Sequence, residues 1–463
     1  MSIRVGLVIS LVCVGCGDDA AVPIDAAVDA MADAATPDAP PADLRKLVAE
    51  LTATPNRNLD LLFVIDDSPS MADKQNNLAN NFPNFINVLQ SVPGGLPNVH
   101  LAVVTTDVGT KGAEDASPGP AIGQVGNGGC SGTGKAGNMQ VNGAPVTGVY
   151  ISDILVTGGT RQTNYTGTLA AAFSTMARVG AGGCGFEQPL EAMRRALENN
   201  PNNAGFSRPD AVLGVVFLTD EDDCSLRHSS MLGPEDAVLG PLQSFRCARF
   251  GVTCATGGNT TDEMNTVGTK GMCRENATSP YITDVTPYRA FLNTVKNDTR
   301  KIVVAAIMGT TTPYQVELRA QPGGGPTVNA LAHSCAYTGA AGPEVADPPA
   351  RLQAFLDLFP DRSASSTICQ QDLSGGLGSV ATLLSRAIGS PCIGVTLADV
   401  DPATAGTQYD CVVEDAVGAI TTPIPACGTA GPATCWSLVP NPTTCTQADH
   451  LELVITRPSA PGA

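Results

Sequence analysis

Residues 59–70 read LDLLFVIDDSPS, and this stretch decides the fold. Residues 59–65 form an apolar run of seven that only Asp60 interrupts; the run is too short for a typical helix and ends in polar turn residues. A continuous apolar run indicates a strand buried on both faces, as the strands of parallel sheets are. We therefore expect a buried parallel strand that ends immediately before Asp66.

Short apolar runs and helical patterns alternate along the following residues. The runs at 99–106, 212–219 and 302–308 predict further strands. Helical spacing of apolar residues occurs at 71–89, 169–179, 190–197, 288–295 and 377–388, while 352–359 is ambiguous. Pro83 is expected to kink or interrupt the first helix. Strands that alternate with helices build parallel βαβ units, so the fold class is α/β with a doubly wound, mostly parallel, Rossmann-like sheet.

Three long segments interrupt this alternation and predict loop insertions. They lie at about 107–149, 224–285 and 311–348 and are rich in glycine or contain cysteines. From Cys392 onward the chain changes to short polar and β-branched segments and includes Trp436, its only tryptophan. We therefore assign 59–390 to the α/β domain and 391–463 to a small, disulfide-rich C-terminal domain of β type.

The first residues are typical of a secretion signal. Arg4 supplies a positive charge, residues 5–14 form an apolar stretch too short to span a bilayer, and Gly15 and Cys16 follow. A small residue before cysteine resembles a bacterial lipobox, which implies that 1–16 is a signal, that Cys16 is lipidated and that the protein is anchored in the cell envelope, at the outer membrane. Plain signal cleavage is the alternative. Residues 17–58 repeat Ala, Asp and Pro and predict a disordered tether.

Charge and cysteine content narrow the partners and the compartment. The formal net charge of −18 opposes a phosphate-backbone partner, so we do not expect nucleic acid as a ligand. Irregularly spaced cysteines without CxxC clusters predict a disulfide framework in an oxidising compartment, with one thiol left over from an odd number. The candidates are Cys130, Cys184, Cys224, Cys247, Cys254, Cys273, Cys335, Cys369, Cys392, Cys411, Cys427, Cys435 and Cys445.

Oxygen-bearing side chains follow two of the predicted strands. Asp66, Ser68 and Ser70 come directly after the first strand, and Asp220 follows the strand at 212–219. Open parallel sheets bind ligands at the carboxyl ends of their strands, and such oxygens suit a hard cation. We therefore expect Mg²⁺, or Ca²⁺ or Mn²⁺, at this edge. The alternative is that Asp66 and the serines only cap the following helix.

The same residues carry a family resemblance. LLFVIDDSPS at 61–70 resembles the metal-ion-dependent adhesion site of von Willebrand A domains, whose motif is Asp-x-Ser-x-Ser, and VVFLTDEDD at 215–223 resembles the later strand that ends in a metal-site aspartate. The resemblance implies that Asp66, Ser68, Ser70 and Asp220 bind the metal and that an acidic group of a partner completes its coordination. Cys184 stands where the family has a metal-binding threonine. If Cys184 is disulfide-bonded, with Cys130 as a candidate partner, Glu187 could supply the missing oxygen.

Three functions are compatible with these patterns. The first is a non-catalytic, lipid-anchored binding or adhesion protein that recognises a protein or other acidic partner, extracellular or periplasmic, through the metal. The second is a structural envelope component whose degenerate site holds no metal. The third, an envelope hydrolase, would need His228 and an acidic group near a serine, and the chain has neither GxSxG around Ser68 nor HExxH. We expect the acidic run at 221–223 to be a solvated loop rather than a calcium site.

Overall fold

A computed structural model of the protein divides the chain into two compact units, residues 56–388 and a unit made of residues 1–55 and 389–463. The structure describes residues 8–15, 45–52, 57–92, 95–156, 158–321, 325–360, 362–389, 392–393, 396–397, 399, 401, 403–404, 408–417, 420–428, 434–442, 445 and 449–456. Cys16 and most of the predicted tether, at 17–44 and 53–56, lie outside the described residues.

The strands alternate with helices through most of the chain. They are β1 (Val8–Gly15), β2 (Arg45–Thr52), β3 (Asn58–Ile65), β4 (Asn98–Thr105), β5 (Ile151–Leu155), β6 (Arg161–Thr163), β7 (Val212–Leu218), β8 (Val252–Thr256), β9 (Gly268–Glu275), β10 (Ile302–Met308), β11 (Tyr314–Arg319), β12 (Val328–Leu331), β13 (Cys335–Gly339), β14 (Gly342–Ala346), β15 (Ser363–Thr367), β16 (Cys411–Val417), β17 (Ile420–Ile424), β18 (Cys435–Pro440) and β19 (Leu451–Thr456). The helices are α1 (Ala72–Gln90), α2 (Leu169–Met176), α3 (Pro189–Leu197), α4 (Asp236–Leu239), α5 (Phe245–Gly251), α6 (Thr261–Met264), α7 (Thr286–Val295), α8 (Ala350–Asp357) and α9 (Ser374–Ile388).

The larger unit is built on a seven-stranded sheet with the order β15-β10-β7-β3-β4-β5-β6. Strands β15, β10, β7, β3 and β4 are parallel, and only the β4–β5 and β5–β6 pairs are antiparallel. This confirms the predicted α/β class with a mostly parallel sheet. The chain leaves β3 for β4 on one side, while β7 lies on the other, so the strand order reverses at the β3–β7 pair. Doubly wound sheets bind their ligands beside such a reversal.

Helices cover both faces of the sheet and explain why β3 is continuously apolar. On one face, Phe63 packs against Phe82 and Phe85 of α1 and Phe173 of α2, with ring centroids 5.9, 6.1 and 4.7 Å apart. Helix α9 contributes to the same buried cluster. Leu62 belongs to the opposite cluster, together with residues of α3, α7 and α8. Both faces of the strand are therefore excluded from water, as its sequence predicted.

Helix α1 runs from Ala72 to Gln90 with Pro83 inside it, so the predicted interruption at Pro83 is wrong. Proline removes one helical hydrogen bond and costs about 3 kcal/mol in a helix interior. Here the exposed Pro83 ring is flanked along the helix by Leu78, Phe82 and Phe85, which are fully buried against the sheet. Burial of this apolar face outweighs the local cost and keeps the helix continuous.

The insertions form strands of their own that the sequence patterns did not predict. Strands β5 and β6, which follow the first insertion, extend the main sheet; within the other two insertions, β12-β11-β9-β8 form a second sheet and β13 pairs with β14. These strands are short and partly exposed, and β9 has only one buried residue, Lys270. Each has at most two buried residues, too few for the alternation from which strands are recognised.

The smaller unit contains antiparallel β-structure, in agreement with the predicted β character of the C-terminal region. Its strands have the order β17-β16-β1-β2, and β18 pairs with β19. Strand β1 contains part of the stretch predicted to be a signal, and β2 lies inside the predicted tether. Trp436 belongs to a small buried cluster with Val413 and Leu451. Across the described residues of both units, no helix is long and apolar enough to cross a membrane.

The predicted disulfide framework is present. The bonds join Cys130 to Cys184, Cys224 to Cys247, Cys254 to Cys273, Cys335 to Cys369, Cys392 to Cys445, and Cys427 to Cys435. Cys411 is also disulfide-bonded. The prediction that one of the thirteen cysteines is unpaired is therefore wrong. Cys411, the one left after these six bonds, is bonded to a cysteine outside the predicted set.

Candidate metal site

The structure brings Asp66 and Asp220 to one edge of the central sheet. Asp66 follows β3 and Asp220 lies two residues after β7, and Ile65 stands opposite Leu218 in the parallel register of these strands. The Asp66 N–H donates to the Leu218 carbonyl at 2.9 Å, which ties the two turns together. Both aspartates are buried, with exposed fractions of 0% and 3%. The two carboxylates therefore meet at the reversal of strand order.

The side chain of Asp66 organises the turn that contains the two serines. Its Oδ1 accepts from the Ser68 N–H at 2.8 Å, and its Oδ2 accepts from the Thr219 hydroxyl at 2.9 Å. The Ser68 and Ser70 hydroxyl oxygens are 3.2 Å apart. Helix α1 begins only after Met71, which makes no side-chain capping bond. The alternative in which these residues merely cap the helix is therefore not the observed arrangement.

Besides Asp67 Oδ1, two carboxylate oxygens at this edge are buried without a hydrogen-bond partner. They are Oδ1 of Asp220 and Oε1 of Glu187, whose side chain is 1% exposed. Burial, followed by repulsion from Glu221, Asp66 and Asp220, raises the pKa of Glu187 well above its usual range. A buried polar atom without a partner is costly unless a counter-charge is close. These oxygens fit a bound cation.

The charged form of the Asp66 carboxylate is also destabilised, so it too would be stabilised by a nearby positive charge. Burial raises the pKa of Asp66 to about 8, and repulsion from Asp220 adds to that effect, although the hydrogen bond from Ser68 opposes it. Burial also raises the pKa of the neighbouring Asp67, against the attraction of Lys135, whose Nζ lies 2.6 Å from Asp67 Oδ2. Without added positive charge, the carboxylates of this edge repel one another.

Lys74 is a residue of this site that the sequence analysis missed. Its ammonium lies 2.9 Å from Asp220 Oδ2 and 2.6 Å from Glu344 Oε2, and donates to the Ser70 carbonyl at 3.1 Å. Although burial lowers the pKa of Lys74, attraction to Asp220 and Glu344 raises it overall. Its sequence position, one helical turn after Ser70, could have indicated that its side chain lies near the predicted ligands. This ammonium partly neutralises Asp220 but leaves its Oδ1 open.

The loop that contains Cys184 packs directly against the Asp66 turn. Cys184 is bonded to Cys130, so it cannot be a ligand of a hard metal. The Gly183 N–H donates to the Asp67 carbonyl at 2.7 Å, and a side chain at Gly183 would collide with the Asp67 carboxylate. The carboxyl of Glu187, three residues after Cys184, lies close enough to Glu221, Asp66 and Asp220 to be repelled by them.

The acidic run after Asp220 is not a solvated loop, so that expectation was wrong. Asp223 is fully buried and pairs with Arg351, itself 1% exposed, at 2.8 Å. The Asp222 carboxylate accepts from the N–H groups of Arg351 and Leu352 at 2.9 and 3.0 Å, in the first turn of α8. These charges neutralise a buried arginine and cap a helix, which keeps them out of water.

His228 lies between two carboxylates. Its Nδ1 is 3.2 Å from Asp115 and its Nε2 is 3.5 Å from Glu114. Among the described residues, no group of three or more His, Cys, Asp and Glu side chains has the arrangement of a metal site. The ligands predicted for this site include the Ser68 and Ser70 hydroxyls, and a group made only of His, Cys, Asp and Glu side chains leaves these out.

No family model and no curated protein matches the chain. Among solved structures, the chain is similar to the pilus adhesin SpaC from Lactobacillus rhamnosus GG in its open conformation, with 12% sequence identity and a TM-score of 0.28. The match covers 74% of this chain and 31% of the adhesin, so it spans less than a third of that protein's length. A similarity this low leaves the function to be argued from the site itself.

Proposed function

We propose that this protein is a binding module of the von Willebrand A type that holds a magnesium-like divalent cation and, through it, recognises an acidic group of a partner. From its lipobox-like motif we also place it on the cell envelope, anchored by lipid at Cys16, so that maturation would remove residues 1–15 and with them strand β1. The observation that carries the proposal is that Asp220 Oδ1 and Glu187 Oε1 are buried without partners at the edge where Asp66 follows β3.

Each candidate residue would have a defined role in such a metal site. Asp66, Ser68, Ser70 and Asp220 would hold the cation, and Glu187 would replace the oxygen that Cys184 cannot supply. The cation would relieve the repulsion between the carboxylates and attract an acidic group of the partner. Because Glu187 adds negative charge where the family has a hydroxyl, we expect a lower affinity for the acidic partner.

Calorimetric titration with Mg²⁺, Ca²⁺ and Mn²⁺ tests the proposal. The wild type should bind one ion saturably, and Asp220→Ala should lose this binding, because it removes the open Oδ1. Asp357→Ala is the matched control, since it deletes an exposed carboxylate from α8 and should leave the titration unchanged. A wild type that binds none of the three ions would overturn the proposal.

The second candidate is a structural envelope component without a metal. Lys74 favours it, because its buried ammonium already lies 2.9 Å from Asp220. If the site does bind metal, Lys74→Met should raise the Mg²⁺ affinity about tenfold or more, since it removes a competing charge. Lys301→Met, at the opposite end of the sheet before β10, should not change it. Metal binding by Lys74→Met but not by the wild type would favour the structural candidate.

Removing the Cys130–Cys184 bond should weaken both the fold and the metal site. A bridge across 54 residues contributes about 4 kcal/mol in the loop-entropy model, so Cys130→Ala with Cys184→Ala should lower the unfolding free energy by about that amount. Mg²⁺ affinity should fall as well, because the bond holds the loop before Glu187. Cys254→Ala with Cys273→Ala, a bridge across 19 residues in the second sheet, should lower stability alone. Equal Mg²⁺ affinities in both double variants would contradict the positioning role.

A further inference from the structure

A cavity of about 380 Å³ lies between the insertions at 224–285 and 311–348, beside the candidate metal site. One wall is acidic and contains Glu221 and Asp347. The others are largely apolar and include the Phe186 and Phe245 rings. Asp347 is fixed next to Asp220, because its N–H donates to the Asp220 carbonyl at 2.8 Å.

The charged side chains around the cavity differ in how many hydrogen bonds and ion pairs they make. Asp222 is already bonded to the first amides of α8. The Arg319 guanidinium, the nearby cation, binds Glu317 at 3.0 Å and the Leu331 carbonyl at 2.6 Å. Asp347 accepts from His333 at 2.7 Å through Oδ1 only. Glu221 accepts from the Ser244 side chain and lies close enough to Asp347 for the two carboxyls to repel each other, and among the described residues neither is ion-paired to a lysine or arginine.

A buried tyrosine hydroxyl lies near these acids, although Tyr314 does not itself line the cavity. The Tyr314 hydroxyl is buried without a hydrogen-bond partner. Burial, and then the nearby Asp222 and Asp347, raise the pKa of Tyr314 well above its usual range. The phenol therefore lies beside two acids of the cavity wall.

We propose that this cavity binds a lysine side chain of the partner, with its ammonium between Glu221 and Asp347 and its alkyl chain against the Phe186 and Phe245 rings. An ammonium directs three donors from one point to acceptors on different segments, whereas a planar guanidinium prefers both oxygens of one carboxylate. Aromatic faces also attract such a cation. The net charge of −18 favours a partner with basic groups. The assignment of the lysine to a partner protein rests on the proposed function. The prediction that the cavity binds an alkyl ammonium group does not.

Titration of the full chain with Nα-acetyl-lysine methylamide, followed by NMR, tests this site. The wild type should bind this probe about tenfold or more tightly than the norleucine analogue, which lacks the ammonium. Glu221→Gln and Asp347→Asn should remove the preference, and Glu275→Gln on β9 is the matched control. Ala330→Leu keeps every charge but narrows the cavity, so it should weaken both probes. Equal binding of the two probes by the wild type, or no binding, would overturn the inference.

Two further experiments distinguish this inference from the proposed function and from binding of a free small-molecule amine. Asp66→Asn removes the candidate metal site and, although Asp66 repels Glu221, should change binding of the lysine probe far less than Glu221→Gln does. Probe binding without any Mg²⁺ binding in the wild type would therefore sink the proposed function alone, and the reverse result would sink the cavity site alone. Tighter binding of free cadaverine than of the blocked lysine would overturn the assignment to a partner's side chain.

Discussion

Replacing Asp66 with asparagine should abolish Mg²⁺ binding while it raises the unfolding free energy of the metal-free protein by at least about 1 kcal/mol. Asparagine keeps an oxygen that can accept from the Ser68 N–H, but it removes a buried charge that Asp220 repels. A carboxylate whose pKa is raised from 3.8 to about 8 opposes folding at neutral pH. Calorimetry and denaturant unfolding in chelator measure the two effects.

Asp73→Asn is the matched control for this change, because it makes the same substitution in the first turn of α1. The Asp73 carboxylate accepts from the Tyr337 hydroxyl at 2.7 Å and the Ala340 N–H at 3.0 Å. Although burial opposes them, these bonds lower the pKa of Asp73. Asp73→Asn should therefore reduce stability and leave Mg²⁺ affinity unchanged. Loss of stability in Asp66→Asn would instead mean that Asp66 is a structural residue of the turn.

The pH dependence of stability gives a second readout on Asp66. Its folded pKa of about 8 lies above the unfolded value, so the folded state holds more protons between these two values. In chelator, the contribution of this group should make the wild type less stable as the pH rises from about 4 to about 8. Asp66→Asn should lack this component, and a similar pH profile in both proteins would argue against a buried, repelled carboxyl.

The sequence could predict the parallel sheet because burial on both faces leaves a direct mark on composition. The apolar runs of β3 and β7 identified two strands, and the rule that ligands bind at carboxyl ends then placed Asp66 and Asp220 at one edge. Their buried positions agree with that reasoning. Nothing in this step required knowledge of the insertions, because the edge belongs to the sheet alone.

The contacts that depend on the insertions could not be predicted in the same way. Lys74 binds Glu344, which is 270 residues away in sequence, on a strand whose only buried residue is Ala346. Asp222 and Asp223 looked like solvated charges because their partner, Arg351, begins a helix far along the chain. Pair interactions of this kind are set by tertiary packing, which local patterns do not report.

Asp60→Ala should be the most destabilising single change, at about 3–5 kcal/mol, because it removes the carboxylate from a buried charge cluster. Asp60 is fully buried in β3 and is the polar residue that interrupts its apolar run. It accepts from Lys296 Nζ at 3.1 Å and from the Arg208 Nε and N–H at 2.7 Å each. Denaturant unfolding measures the loss, and the thermal midpoint should fall by about 10 °C.

The loss should come from the lysine that is left behind, and this can be tested by a second substitution. Lys296 is buried without exposure of its side chain, and burial lowers its pKa while attraction to Asp60 opposes that shift. Adding Lys296→Met to Asp60→Ala should therefore restore part of the stability, since no unpaired ammonium remains. Glu317→Ala breaks an ion pair whose side chains are 40% and 37% exposed, so it should cost at most about 1 kcal/mol. If Asp60→Ala cost no more than this control, or if Lys296→Met made it worse, the cluster would not be a determinant of the fold.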